Sequence, residues 1–294
     1  MTTRATGAGK IGYTCAYTPL EVLDAFGLTP LRAFGSPSAP NISDAYVHNN
    51  FCGYVKNIIN ANQGQDMIFV DTCCQMKRTH DAWTNSFEGS LSYLLNLPRI
   101  DTAESHQFWV DSMKDMIAHM EEALGVRLDS QRLRESIRRR NALRVGLRKA
   151  EELLLQNKIF SHRYLELIHQ VQGERAEEAL NRVKSFLEEQ ANGKGPDHPV
   201  PLLVTGSIIA ALPLAKTVEE TGGNVVYFDT CCTSRWYQQK EIDEETEPLQ
   251  ALAVGYLGQT PCPRMKQSYE RFDQLRQIIR NRQVKGVIHH TLKF

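Results

Sequence analysis

Two stretches, Ile68-Phe69-Val70-Asp71-Thr72-Cys73-Cys74 and Val226-Tyr227-Phe228-Asp229-Thr230-Cys231-Cys232, carry nearly the same message. Each is an apolar, β-prone run that stops at Asp-Thr-Cys-Cys and is followed within a few residues by Lys or Arg. Four of the seven cysteines therefore sit at strand ends. In open α/β sheets ligands bind at the carboxyl ends of the strands, so a repeated strand-to-thiol junction points to metal or redox chemistry. Side chains alternate along extended chain, so one sulfur of each adjacent pair is expected to face a given site.

The sequence around these junctions alternates strands with helices. Ile11 to Ala16 reads as a strand, Leu20 to Phe26 as a short helix stopped by Gly27, and Tyr46 to Ala61 as a helix before the Met67 to Asp71 strand. Strands at Pro201 to Thr205 and Asn224 to Asp229 flank a helix from Leu212 to Thr221. A helix from Met265 to Asn281 then leads to a last strand, Lys285 to Leu292. This is the grammar of parallel sheets wrapped by helices. Between the two blocks, Glu104 to about Asn192 carries long amphipathic patterns, including Phe108, Val110, Met113, Ile117, Met120 and Leu124, with Gly125 as a stop. Asp129 to Gln156 and Arg175 to Gln190 read the same way, and Asn192 to Pro201 reads as a linker. The fold class is α/β: two Rossmann-like parallel-sheet domains, residues 1–103 and 196–294, with a helical subdomain and linker over 104–195. The chain stops just after its last strand, so the second domain is expected to be incomplete and to continue beyond Phe294.

A chain of 294 residues with 41% hydrophobic and 23% charged content belongs with ordinary globular proteins. Its 34 basic residues balance its 34 acidic ones, so no global field favours nucleic acid or an anionic membrane. No signal-like or bilayer-length apolar run is present, and the reading is cytoplasmic. Thiols stay reduced in that compartment, which makes an odd cysteine count a poor disulfide framework.

Other candidate motifs are weaker. Gly7-Ala8-Gly9-Lys10 lacks the Ser/Thr and the preceding strand of a phosphate loop, and no Gly-x-Gly-x-x-Gly follows a strand. The arginines at 132, 134, 138, 139, 140, 144 and 148 read as a solvated helix face more readily than as a phosphate grip. No His-x-x-x-His pair with a Glu shares a helical face. Gly206-Ser207, between a strand and a helix, suits an anion-binding turn and a purely structural one equally. Buried hydrophobe is the reading for Cys74 and Cys232. Cys15, Cys52, Cys73, Cys231 and Cys262 fall at strand or turn boundaries, and none forms Cys-x-x-Cys. Zinc therefore has no support from spacing, whereas scattered single cysteines suit an iron-sulfur cluster reached from several strands.

Eight segments in order resemble the 2-hydroxyacyl-CoA dehydratase family, which includes benzoyl-CoA reductase subunits and double-cubane cluster proteins. They are Gly12-Tyr13-Thr14-Cys15-Ala16-Tyr17-Thr18-Pro19-Leu20-Glu21, Phe51-Cys52-Gly53-Tyr54-Val55-Lys56, Cys73-Cys74-Gln75-Met76-Lys77-Arg78, Leu97-Pro98-Arg99, Leu203-Val204-Thr205-Gly206-Ser207, Asp229-Thr230-Cys231, Cys262-Pro263-Arg264-Met265, and Gly286-Val287-Ile288 to Leu292-Lys293-Phe294. The resemblance implies a subunit of a homo- or heterodimer that holds a four-iron four-sulfur (4Fe-4S) cluster between domains. It implies electrons from a separate ATP-hydrolysing iron-sulfur activator and an acyl-CoA thioester that reacts through a ketyl radical, by dehydration (a lyase) or reduction (an oxidoreductase). Carried over by position, Cys52 and Cys73 match cluster ligands, and Cys74 stands where the family has Asp. A third ligand is expected after Leu-Lys-Phe, beyond this sequence. Cys15 and Cys231 are expected to bind the cofactor, by substituting for the missing ligand or by lining the cleft, and Glu21 and Ser207 to serve substrate or proton handling. An electron-relaying, non-catalytic partner subunit and a double-cubane reductase acting without CoA are the alternatives.

Overall fold

The computed structural model describes residues 9–36, 38–191, 193–208, 211–237 and 240–292. Gly7-Ala8, the linker's Asn192 and the terminal Lys293-Phe294 lie outside them. In chain order the elements are β1 (Lys10–Tyr13), α1 (Leu20–Ala25), β2 (Thr29–Arg32), α2 (Gly53–Ala61), β3 (Met67–Val70), α3 (Cys74–Ser86), β4 (Ser92–Leu95), α4 (Ala103–Leu124), α5 (Ser130–Leu155), α6 (Ser161–Val171), α7 (Ala176–Glu189), β5 (Val200–Gly206), α8 (Ala211–Glu220), β6 (Gly223–Asp229), α9 (Ser234–Tyr237), α10 (Pro248–Leu257), α11 (Arg271–Asn281) and β7 (Gly286–His290). Short 3-10 turns occur at Ser43–Ala45 and Ser268–Glu270. The chain forms two compact units. One is Met1–Arg138 with Ile242–Leu257 and Leu292–Phe294; the other is Arg139–Glu241 with Gly258–Thr291.

The first unit is built on a parallel sheet of order β2-β1-β3-β4. β3, Met-Ile-Phe-Val, is buried at every position, the signature of a strand covered by helices on both faces. Phe69 packs edge-on against Trp83 of α3, ring centroids 5.6 Å apart, and α2 adds Val55, Ile58 and Ile59 to the same core. Burial of a side chain such as Phe69 contributes about 1.5–3 kcal/mol. Gly12 leaves room for the Met67 side chain, because a Cβ there would lie 2.0 Å from Met67 Sδ. Thr102 caps α4 through its hydroxyl, and Gly125, in the left-handed conformation, ends it where the sequence placed the stop.

The second unit carries a parallel sheet of order β6-β5-β7. Leu203, Tyr227 and Leu275 of α11 form a core cluster, with Ile278, Ile279 and Val284 packed against it. Both sheets are parallel, as the alternating pattern predicts, and the α/β class is the observed one. Among the described residues no helix is long and apolar enough to cross a membrane.

Several local expectations are corrected. The helix expected over Tyr46 to Ala61 forms only from Gly53, with Cys52 extended (φ −66°, ψ 153°). A polar side chain competes with the helix upstream: His48 Nδ1 accepts the Asn50 amide. The helix expected from Met265 begins instead at Arg271. β2 and β4 were not foreseen. β2 contains Pro30, which removes a ladder donor, and it lies at the sheet edge where that loss is tolerated. The arginine-rich face is not simply solvated, since Arg140 and Arg144 are buried and Arg144 donates to Asn141 Oδ1 at 3.0 Å.

Candidate functional site

At the carboxyl edge of the first sheet, two thiols begin two helices. Cys52 is the N-cap residue of α2 and Cys73 that of α3. Both are half-buried and pack against the same core cluster. Gln75 joins them: its Oε1 accepts the Cys52 amide at 2.9 Å while its Nε2 donates to the Asn50 carbonyl at 3.3 Å. Neither cysteine caps its helix with its side chain. Each sulfur thus stands at the positive end of a helix, where a negative group such as a metal-bound thiolate is favoured.

The supports of this pair come from the neighbouring strands. Tyr54 Oη donates to the carbonyls of Thr14 and Ala33, at 2.9 and 3.0 Å, which fixes the start of α2 over the ends of β1 and β2. Arg99, from the Leu-Pro-Arg turn after β4, donates to the carbonyls of Asp71 and Thr72 at 2.5 and 2.7 Å. Lys77 Nζ lies 2.9 Å from Asp71 Oδ2. Cys15, also in the first unit, is buried just beyond β1, and its carbonyl accepts the Thr18 amide. Glu21 of α1 is fully buried, with Tyr256 of α10 donating to Oε2 at 2.8 Å and accepting the Leu20 amide.

The second Asp-Thr-Cys-Cys junction repeats the local turn of the first. Thr72 donates to the Val70 carbonyl and Thr230 to that of Phe228, two residues back in each case. Asp229 is buried at the end of β6, accepts from Thr205 Oγ1 at 2.6 Å and lies 2.9 Å from Arg235 Nε. Arg235 Nη2 donates to the carbonyls of Asp229 and Gly206. Burial opposes the Arg235 charge, but Asp229 holds it above its ordinary value. Burial pushes the Cys262 thiol up. Ser207 lies at the end of β5, and its amide donates to the His290 carbonyl at 2.9 Å. That donor is committed within the sheet, which favours the structural reading of the Gly206-Ser207 turn.

The sequence-selected residues fall into two groups: Cys52, Cys73, Cys15 and Glu21 in the first unit, Cys231 and Ser207 in the second. Cys74 is exposed, against its expected burial, and Cys232 is buried as expected. Gln75, Tyr54, Tyr256, Arg235 and Arg271 were missed as site residues. The recurring Asp of the two junctions was the one available signal, since a carboxylate at a buried strand end calls for a cation.

A family model matches the chain over residues 15–294, under the description 2-hydroxyglutaryl-CoA dehydratase, D-component. The chain belongs to this family. A search of curated proteins found no match. Membership in the D-component family makes the chain a dehydratase-type enzyme component, and it agrees with the resemblance carried by the eight segments.

Family membership also raises a cluster cofactor, and the donor chemistry can be compared with it. Cys52 and Cys73 fit the thiolate requirement: two half-buried sulfurs on one sheet edge, each at a helix N-terminus. Among the described residues no three His, Cys, Asp or Glu side chains converge tightly enough to hold a single metal ion.

Proposed function

We propose that this D-component family member is the iron-sulfur subunit of a 2-hydroxyacyl-CoA dehydratase-type enzyme, with Cys52 and Cys73 among its cluster ligands and an acyl-CoA thioester as substrate. The observation that carries this reading is the Gln75-bridged placement of the two thiols at adjoining helix N-termini. When bound, a 4Fe-4S cluster supplies low-potential, one-electron chemistry, the kind that reduces a thioester carbonyl.

The chain's own residues supply the setting. The Phe69–Trp83 core limits water behind the sulfurs, and Arg99 and Lys77 fix the Asp71 turn that positions Cys73. We assign proton handling to Glu21, whose buried carboxyl meets the Tyr256 hydroxyl, and substrate contact to Ser207 at the second sheet edge. Cys15 and Cys231 are surrounding thiols. A homologous subunit completes a dimer, and a separate ATP-hydrolysing iron-sulfur activator delivers the electrons.

Anaerobic reconstitution with iron and sulfide tests the assignment through iron content and electron paramagnetic resonance. Wild type and C74A should bind iron alike, and C52A and C73A should lose most of it. Equal iron in all four, or none in the wild type, would overturn the ligand assignment.

A further inference from the structure

We propose that the carboxyl edge of the β6-β5-β7 sheet holds a phosphate-binding site between Arg235 and Arg271. Both side chains are buried, 4% and 8% exposed, and they share one carboxylate, Asp229, itself 2% exposed. Arg235 Nε lies 2.9 Å from Asp229 Oδ1 and Arg271 Nε 3.6 Å from Oδ2. Thr205 already donates to Oδ2, so the carboxylate is crowded with donors.

The guanidiniums, by contrast, are short of acceptors. Neither Nε contact is aligned as a hydrogen bond, and both Nε groups are buried without an acceptor. Arg235 donates through Nη2 alone. The Arg271 side chain makes no hydrogen bond to any described residue, and its cation lies 5.0 Å from the ring centroid of Phe272. Two buried cations against one carboxylate leave an excess positive charge. Cys262 does not neutralise it, because burial keeps that thiol protonated. Burial, together with repulsion from Arg235, holds Arg271 below its ordinary value despite Asp229.

Buried charges are normally paired, so an anion from outside the chain is the natural complement. The surroundings are not sealed from solvent: Gly206, Ser207 and Cys231 are partly exposed. A planar carboxylate matches the plane of a single guanidinium. A tetrahedral phosphate has enough oxygens to accept from two guanidiniums at once, which suits a pair of arginines better. The place is also the one where parallel sheets bind ligands, the carboxyl ends of strands.

The experiment is isothermal titration of the full chain with orthophosphate, adenosine 3′,5′-bisphosphate and acetate, against sodium chloride of matched ionic strength. Its readout needs neither iron nor thioester turnover, so it stands or falls apart from the cluster assignment. Saturable phosphate binding is expected, weakened at least tenfold in R271Q and less in R271K. Circular dichroism of R271Q should match wild type, and without anion its thermal midpoint should be equal or higher, since the variant sheds an unmatched buried charge. Tighter binding of the bisphosphate than of orthophosphate would identify a phosphorylated organic ligand; the reverse order would identify free phosphate. If R271Q does not fold, R271K carries the test, and unchanged affinity in it together with unchanged affinity in R235K overturns the proposal. Binding of acetate alone, or no binding beyond the salt control, also overturns it.

Discussion

Arg99 grips Asp71 through the aspartate's own carbonyl, at 2.5 Å, and through Oδ1, at 3.3 Å. Arg235 repeats both contacts on Asp229, at 3.1 Å to the carbonyl and 2.9 Å to Oδ1. The two junctions thus share a clamp as well as a sequence. The clamping arginine stands 28 residues beyond its aspartate in the first case and 6 in the second.

Removing the first clamp should loosen Cys73. Arg99 is about a third exposed, so solvent screens part of the interaction and R99A should cost only about 1 kcal/mol. The more telling change is at the thiol. Alkylation of Cys73, followed by mass spectrometry, should speed up several-fold in R99A, and an unchanged rate would refute the positioning role.

Tyr54 supplies the matching support on the Cys52 side. In Y54F the carbonyls of Thr14 and Ala33 lose their shared donor while packing is retained. A loss of about 1–2 kcal/mol in urea denaturation is expected, with faster amide exchange in the first turn of α2. Exchange confined to other helices would contradict this.

Gly206 is required by space as well as by backbone conformation. Its φ is +126°, and a Cβ would stand 2.0 Å from the His290 carbonyl oxygen. G206A should therefore cost more than the roughly 1–3 kcal/mol of backbone strain alone, because β5 and β7 must part. Gly222, φ +86° with open space around it, gives the comparison: G222A should cost about 1 kcal/mol. Similar midpoints for the two variants in a thermal melt would sink this account.

Alkaline stability should depend on Tyr164 and Tyr237. Their hydroxyls meet each other, Tyr237 donates to Glu151 at 2.8 Å, and Ser234 also donates to Glu151. Burial, with the Glu151 charge, raises both phenols well above their ordinary value of 10.0. Above pH 10 the unfolded chain releases these protons while the folded chain keeps them, so stability is full below pH 10 and falls as pH rises beyond it. Each tyrosine contributes about 1.4 kcal/mol per pH unit to that loss. Y164F should reduce the slope of urea midpoint against pH between 10 and 11; an unaltered slope would be the contrary result.

Much of the fold was legible in the sequence because it rests on local patterns. β3 and β6 announced themselves as unbroken apolar runs, and α4 declared its end with Gly125. β2 and β4 did not, since four-residue strands with a Pro or a Ser carry little periodic signal and are fixed by the neighbours they pair with. α10 was missed because it is apolar on nearly every side, which removes the amphipathic signal. Cys52 was legible as a thiol of interest but not as an N-cap, because the His48 side chain that takes the Asn50 amide ahead of α2 is visible only in three dimensions.

The sequence by itself determined the class of the fold, the repeat of its two strand-to-thiol junctions and the family to which those residues belong. These follow from periodicity and residue identity, which are properties of neighbours along the chain. Tertiary structure alone decided that Gln75 bridges the Cys52 and Cys73 loops, that Arg99 and Arg235 clamp the two aspartates, and that Arg235 and Arg271 share a single carboxylate. Each of those relationships joins residues set at different strand ends or helix starts, and only the pairing of parallel strands brings such ends together on one edge of a sheet.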